Sequence, residues 1–74
     1  MNLPLHGLKA FESAARHLSF ARAAEELCVT PAAVSQQVRA LEQSLGHQLL
    51  KSAGRGVTVT EAGQAVLARA EEIF

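Results

Sequence analysis

The sequence predicts a mainly α-helical domain: a three-helix core, one short β-hairpin and a fourth helix. Three observations predict it. Apolar residues recur at three- and four-residue steps over most of the chain, the spacing that gives a helix one buried face. Alanine is abundant and phenylalanine is the only aromatic, which suits closely packed helices better than a sandwich or barrel. Residues that start helices, and a glycine that can end one, fall between the apolar runs. With 74 residues, 49% of them hydrophobic, the chain is sized for one compact core.

Leu5, Leu8, Phe11, Ala15 and Leu18 form the first stripe, so a helix is expected from about Leu5 to His17. Ser19 offers an oxygen to cap a second helix with Phe20, Ala23, Ala24 and Leu27 on its buried face. Only Cys28, Val29 and Thr30 separate that helix from Pro31. Thr-Pro is itself a helix start, because Thr caps free N–H groups and Pro fits the first helical position. The third helix carries the stripe Val34, Val38, Leu41 and Leu45 and stops at Gly46. Two helices joined so tightly form a helix-turn-helix, with the second pushed outward at the surface.

Beyond it, Leu49 and Leu50, a loop from Ser52 to Gly56 and the β-favouring run Val57-Thr58-Val59 read as a short β-hairpin. Thr60 caps a last helix on which Ala62, Val66, Ala70 and Ile73 share a face, flanked by Leu67 and Phe74. That stripe meets no stop signal, so the chain is expected to be cut inside a helix. The expected division is a domain over 1–60 and the start of a linker or dimerisation helix over 61–74.

Formal net charge is zero, but its distribution is uneven. Residues 30–60 hold Arg39, Lys51 and Arg55 against Glu42 alone, while residues 61–74 hold Arg69 against Glu61, Glu71 and Glu72. The middle is locally basic. One cysteine excludes an internal disulfide, and Cys28 is expected as a small half-buried residue beside a turn. His6, His17 and His47 are too scattered for a metal site, so no metal or cofactor is expected. No nucleophile, base and carboxylate set emerges, which argues against an enzyme. No signal peptide or apolar run of spanning length occurs, pointing to the cytosol and away from a membrane.

At about 100° per residue, Ala32, Gln36, Arg39 and Gln43 fall opposite Val34 on the third helix, with Ser35 on the shoulder. Glutamine can bond adenine bidentately, serine is adaptable, arginine suits guanine or phosphate, and alanine can meet a thymine methyl. Ordinary solvated helix surface is the plain alternative. The capped helix, its short turn and the basic hairpin behind it favour a major-groove reader. Arg55, between two glycines at the hairpin tip, suits a minor-groove or backbone contact, against the alternative of a solvated loop charge. Lys51, Thr58 and Thr60 are weaker phosphate candidates. Arg22 either reaches backbone oxygens or pairs with Glu26 along its helix.

The stretches "LKAFESAARHLSFARAAEELCVTPAAVSQQVRALEQSLG" and "TVTEAG" resemble the N-terminal DNA-binding domain of LysR-type transcriptional regulators, over nearly the whole chain. The opening "LPLHGLKAFESAARHLSF" with "VTPAAVSQQV" looks most like the branch of glycine-cleavage and β-lactamase regulators. The resemblance implies a winged helix-turn-helix: third helix in the major groove, hairpin as wing, fourth helix linking two subunits. It implies groove-contacting positions at Thr30, Pro31, Ala32, Ser35, Gln36 and Arg39, with the wing contact nearest Arg55. It also implies an effector-binding domain of two α/β lobes, which is not in this chain.

Two departures stand out. Where the family commonly has Leu-Phe-x-Arg at the first wing strand, this chain has Leu49-Leu50-Lys51-Ser52, so Ser52 replaces a frequent DNA-contacting arginine and Lys51 or Arg55 must compensate. Gln36 stands where many relatives have arginine, exchanging a guanine or phosphate contact for an adenine-type preference. The expected function is sequence-specific binding of double-stranded DNA at an interrupted palindrome. The expected assembly is a homodimer formed through the 61–74 helix and the first helix, around Ala10 and Ala14, against the plain alternative that the last helix folds back on its own core. The rival is a winged-helix protein-interaction module with little DNA affinity, suggested by zero net charge and the missing wing arginine.

Overall fold

The computed structural model describes residues 5–73, in the order α1 (Leu5–His17), α2 (Phe20–Leu27), α3 (Pro31–Leu45), β1 (Leu50–Ala53), β2 (Gly56–Val59) and α4 (Glu61–Ile73). The side chain of Ile73, expected on the shared face of the last helix, and Phe74, expected to flank it, lie outside the described residues. Three helix starts coincide with hydroxyl caps. Ser19 Oγ accepts the Arg22 N–H at 3.2 Å, Thr30 Oγ1 the Ala33 N–H at 3.1 Å, and Thr60 Oγ1 the Gly63 N–H at 3.0 Å. Each bond satisfies a donor that a helix start leaves free. Thr60 Oγ1 also donates to the Gln48 carbonyl at 2.6 Å, tying the start of α4 to the chain leading into β1.

α1 is the central element, packed against α2, α3 and α4. Phe11, Val34, Leu41 and Leu49 are fully buried, and Ala10, Ala14, Ala23 and Ala70 join them with no exposed surface. Small side chains let the helices approach closely around the fully buried ring of Phe11, with Phe20 packed partly buried against the same cluster. Ala10 and Ala14 thereby correct the expectation that they form a face open to a second chain. They belong to this chain's own core, because α4 folds back on α1 and buries Ala70 in the same cluster.

The hairpin pairs Leu50 with Val59, Lys51 with Thr58, Ser52 with Val57 and Ala53 with Gly56. Its connection is the two-residue turn Gly54-Arg55, shorter than the expected loop from Ser52 to Gly56. The ladder continues to the tip because Gly54, at φ 59°, supplies the positive φ that a two-residue hairpin turn needs. The start of β2, beside the hairpin tip, is fastened to the α1–α2 turn, where Val57 N–H donates to the Leu18 carbonyl at 3.3 Å. A Cβ at Gly56 would lie only 2.4 Å from that oxygen, so the close approach requires glycine.

Cys28 is exposed rather than half-buried. It is the left-handed C-cap of α2, at φ 59° and ψ 42°, and that conformation turns the chain outward toward α3.

Candidate nucleic-acid interface

α3 begins at the surface. Thr30, Pro31 and Ala32 are exposed at its N-terminus, where first-turn N–H groups and the helix dipole favour an anion. Gln36, Arg39 and Gln43 are exposed further along, with Ser35 half-buried beside them. This is the face expected from the helical phase of Val34, and Val34, Val38 and Leu41 are indeed the buried residues of α3.

A cleft of about 180 Å³ separates this helix from the hairpin. Ser35 and Arg39 line one side and Lys51 and Ser52 the other, over apolar walls from Phe20, Val38, Leu50 and Val57. Three of the expected residues, Ser35, Arg39 and Lys51, therefore meet at one groove. Thr58 is half-buried and faces Lys51 across the ladder, and Arg55 is exposed in the turn at the hairpin tip. Arg22 lies apart from them, in a hollow with His17, Glu25 and Glu26.

Arg22 does not form the helical pair with Glu26. That carboxylate is taken by α1 instead: Arg16 Nη2 reaches its two oxygens at 2.7 and 2.9 Å, His17 Nε2 lies 3.2 Å away, and the buried Ser13 hydroxyl donates to it. Arg16 Nε also bonds Glu12 at 3.0 Å. The Ser13 hydroxyl first, then the Arg16 guanidinium, hold Glu26 down from the ordinary 4.5 to about 2. The two carboxylates in turn hold Arg16 above its ordinary range. Among the described residues, no ion pair involves Arg22, Arg39, Lys51 or Arg55.

The sequence reading missed Glu42. Its carboxylate accepts the Leu49 and Leu50 N–H groups at 2.7 and 3.2 Å, and it lines the cleft between Arg39 and Lys51. One signal was present: Glu42 is the sole acidic residue between 30 and 60.

An exposed, hydroxyl-capped helix presented by a three-residue turn and flanked by a β-hairpin defines a winged helix-turn-helix domain. The chain belongs to the bacterial regulatory helix-turn-helix proteins of the lysR family, whose pattern matches residues 5–64. That family is one of regulators rather than enzymes. The chain is 58% identical over 73 residues to the HTH-type transcriptional activator AmpR of Citrobacter koseri, covering 99% of itself and 26% of that protein. It is 52% identical over 71 residues to the glycine cleavage system transcriptional activator of Escherichia coli K12, covering 96% of itself and 23% of that protein. These are the two regulator types expected from the opening residues. The chain spans about a quarter of the length of these curated relatives. In structure it resembles the crystallised complex of the CbnR DNA-binding domain with DNA, with a TM-score of 0.87 and 37% identity, covering 99% of this chain and 82% of that one. Among the described residues no helix is long and apolar enough to cross a membrane.

Proposed function

We propose that residues 1–60 form the DNA-reading domain of a transcriptional regulator and that residues 61–74 begin its linker helix. The carrying observation is the exposed α3 face of Ala32, Gln36, Arg39 and Gln43, beside a hairpin whose cations have no carboxylate partner among the described residues. α3 enters the major groove with Thr30, Pro31 and Ala32 leading. Gln36 and Arg39 meet base edges, with Ser35 adaptable beside them. Lys51, Thr58 and Arg22 contact phosphates, and Arg55 takes adjacent backbone or the minor groove. Relatives that carry the same fold on DNA support this assignment.

The functional unit is a homodimer on an interrupted palindrome, so that protein and site share a two-fold axis. With Ala10 and Ala14 inside the core, the dimer contact shifts to α4. There Ala62, Ala65 and Val66 line an apolar groove with Leu45 and Leu49. A protein that reads bacterial genes works in the cytoplasm.

Fluorescence anisotropy tests the function. A duplex with two half-sites in an AT-flanked palindrome and a scrambled duplex are titrated at several salt concentrations. Preference for the palindrome is expected, with a log-log salt slope of roughly 0.9 per neutralised phosphate, several units in all. Weak, salt-independent binding to both would replace DNA reading by a protein-interaction role.

A further inference from the structure

Four backbone N–H groups of the segment leaving α3 converge on one residue. Gly46 and His47 donate to the Glu42 carbonyl at 2.8 and 3.2 Å, and Leu49 and Leu50 donate to Glu42 Oε2 at 2.7 and 3.2 Å. The connection from α3 to the hairpin is wound around this single residue. Leu49 is fully buried and Leu50 nearly so, so an unmatched donor there would be costly. A carboxylate is the stronger acceptor for both.

The hairpin has other anchors, and they lead elsewhere. Leu18 O holds β2 to the α1–α2 turn, and Thr60 bonds Gln48 O and Leu49 O at the start of α4. Among the described residues, the two bonds to Glu42 Oε2 are the only side-chain hydrogen bonds between α3 and the hairpin. Glu42 also stands in the cleft between Arg39 and Lys51, where a negative charge by itself opposes a phosphate. Apolar packing of Leu49, Leu50 and Val57 with Val38 and Leu41 presses the hairpin on the core without direction. A carboxylate with an electrostatic cost to DNA binding and the side-chain hydrogen bonds from α3 has its use in the placement those bonds give.

We propose that Glu42 is a positioning residue for DNA recognition. It sets the hairpin relative to α3, so that Lys51 and Arg55 meet the duplex whose groove α3 occupies. This role rests on the DNA-binding function proposed above. Remove the carboxylate and the hairpin stays attached to the core through Leu18 and Thr60, but its placement against α3 is no longer fixed.

Electrostatics alone and positioning predict opposite signs. Deleting a negative charge beside a polyanion site strengthens binding if nothing moves; losing the hairpin's placement weakens it. The test is a double-mutant cycle on the 74-residue chain with a mixed-sequence DNA duplex, comparing the parent, Glu42→Ala, Arg55→Ala and the double variant across salt. Glu42→Ala is expected to weaken binding and to flatten the log-log salt slope by roughly 0.9 for each of the two hairpin cations, Lys51 and Arg55, that loses its phosphate. Adding Arg55→Ala should then change affinity by no more than about twofold, within the scatter of independent measurements. Glu42→Gln keeps an oxygen for both amides and should bind at least as tightly as the parent.

Should Glu42→Ala unfold, Glu42→Asp carries the same cycle, since it keeps the charge but is one methylene too short to hold both amides. Unchanged or tighter binding by the alanine variant, independent multiplication of the two effects, or no recovery with glutamine each overturns the positioning role. Absence of salt-dependent binding by the parent is a different result: it removes the DNA-binding function and this role with it.

Discussion

On the α1–α2 face, Arg16 commits its guanidinium to Glu12 and Glu26, and Glu26 also takes the Ser13 hydroxyl and His17. On the α3–hairpin face, Arg39, Lys51 and Arg55 have no carboxylate partner among the described residues, and the one carboxylate present, Glu42, is occupied by backbone amides. The first face engages its central arginine internally, and the second holds three cations with no ion pair among the described residues. Zero net charge thus says little about polyanion binding, because affinity follows where neutralisation occurs within the molecule.

The strongest way to break this contrast is to remove the frame both faces share. Phe11 is fully buried at the centre of α1, and Phe11→Ala should cost about 3–5 kcal/mol. A chain of this size has roughly 4–11 kcal/mol in all. Urea denaturation should show much of the population unfolded before denaturant is added, with both faces lost together. Retention of nearly full stability would mean the core does not centre on this ring.

Gly63→Ala should break one face more than the other. A Cβ there would lie 2.2 Å from the Leu49 carbonyl oxygen and 2.7 Å from Val59 Cγ1, so α4 must move away from the hairpin. Overpacking of this kind costs about 1–3 kcal/mol. Hydrogen exchange should rise at β1 and β2 while amides of α1 and α2 stay protected. Equal loosening everywhere would show the two faces to be one cooperative unit.

The contrast is sharpened by matched arginine deletions. Arg39→Ala should weaken binding of a DNA duplex by about 1–3 kcal/mol if its contact is to a base edge, whereas Arg16→Ala should leave affinity unchanged. Gln36→Ala should cost about as much as Arg39→Ala on a preferred sequence and little on a scrambled one, since base contacts carry specificity and phosphate contacts do not. Anisotropy titrations of the three variants check this. Equal losses for Arg16 and Arg39 would remove the distinction between the faces.

How much of this was legible in the sequence depended on the range of the interaction. Helix starts at Ser19, Thr30 and Thr60 and the stop at Gly46 are local, each decided by a side chain and a backbone group within four residues, and all appear where expected. The polar face of α3 follows from phase alone. Long-range outcomes were not decided by the sequence: the burial of Ala10 and Ala14 depends on α4 returning to α1, the alternative to a face shared between chains, and the Glu26 partners come from ten or more residues away in α1 as well as from the nearer His17. The left-handed Cys28 and the two-residue turn at Gly54-Arg55 are local but ambiguous, because short segments of this composition close in several ways. Glu42 lay between these cases, a lone acid in a basic stretch with no neighbour in sequence to pair with.

The smallest expected effect tests the α1–α2 face by itself. Glu26 is held near 2 in the folded protein, by the Ser13 hydroxyl first and then by Arg16, against 4.5 when unrestrained. Between those values the unfolded chain binds a proton that the folded chain does not, so stability falls as pH falls. The contribution is complete above about pH 5, shrinks from 4.5 downward and is gone below about 2. Glu26→Gln should therefore melt below the parent at neutral pH, and the two melting curves should converge as pH drops through that window. Because Glu26 is solvent-accessible, salt should reduce the difference at every pH. Parallel curves across the acid range would mean that the hydroxyl and guanidinium hold the carboxylate no more tightly than water does. Duplex affinity at neutral pH should not fall in Glu26→Gln, since the carboxylate shares a hollow with Arg22, a proposed phosphate contact, where its charge opposes a polyanion.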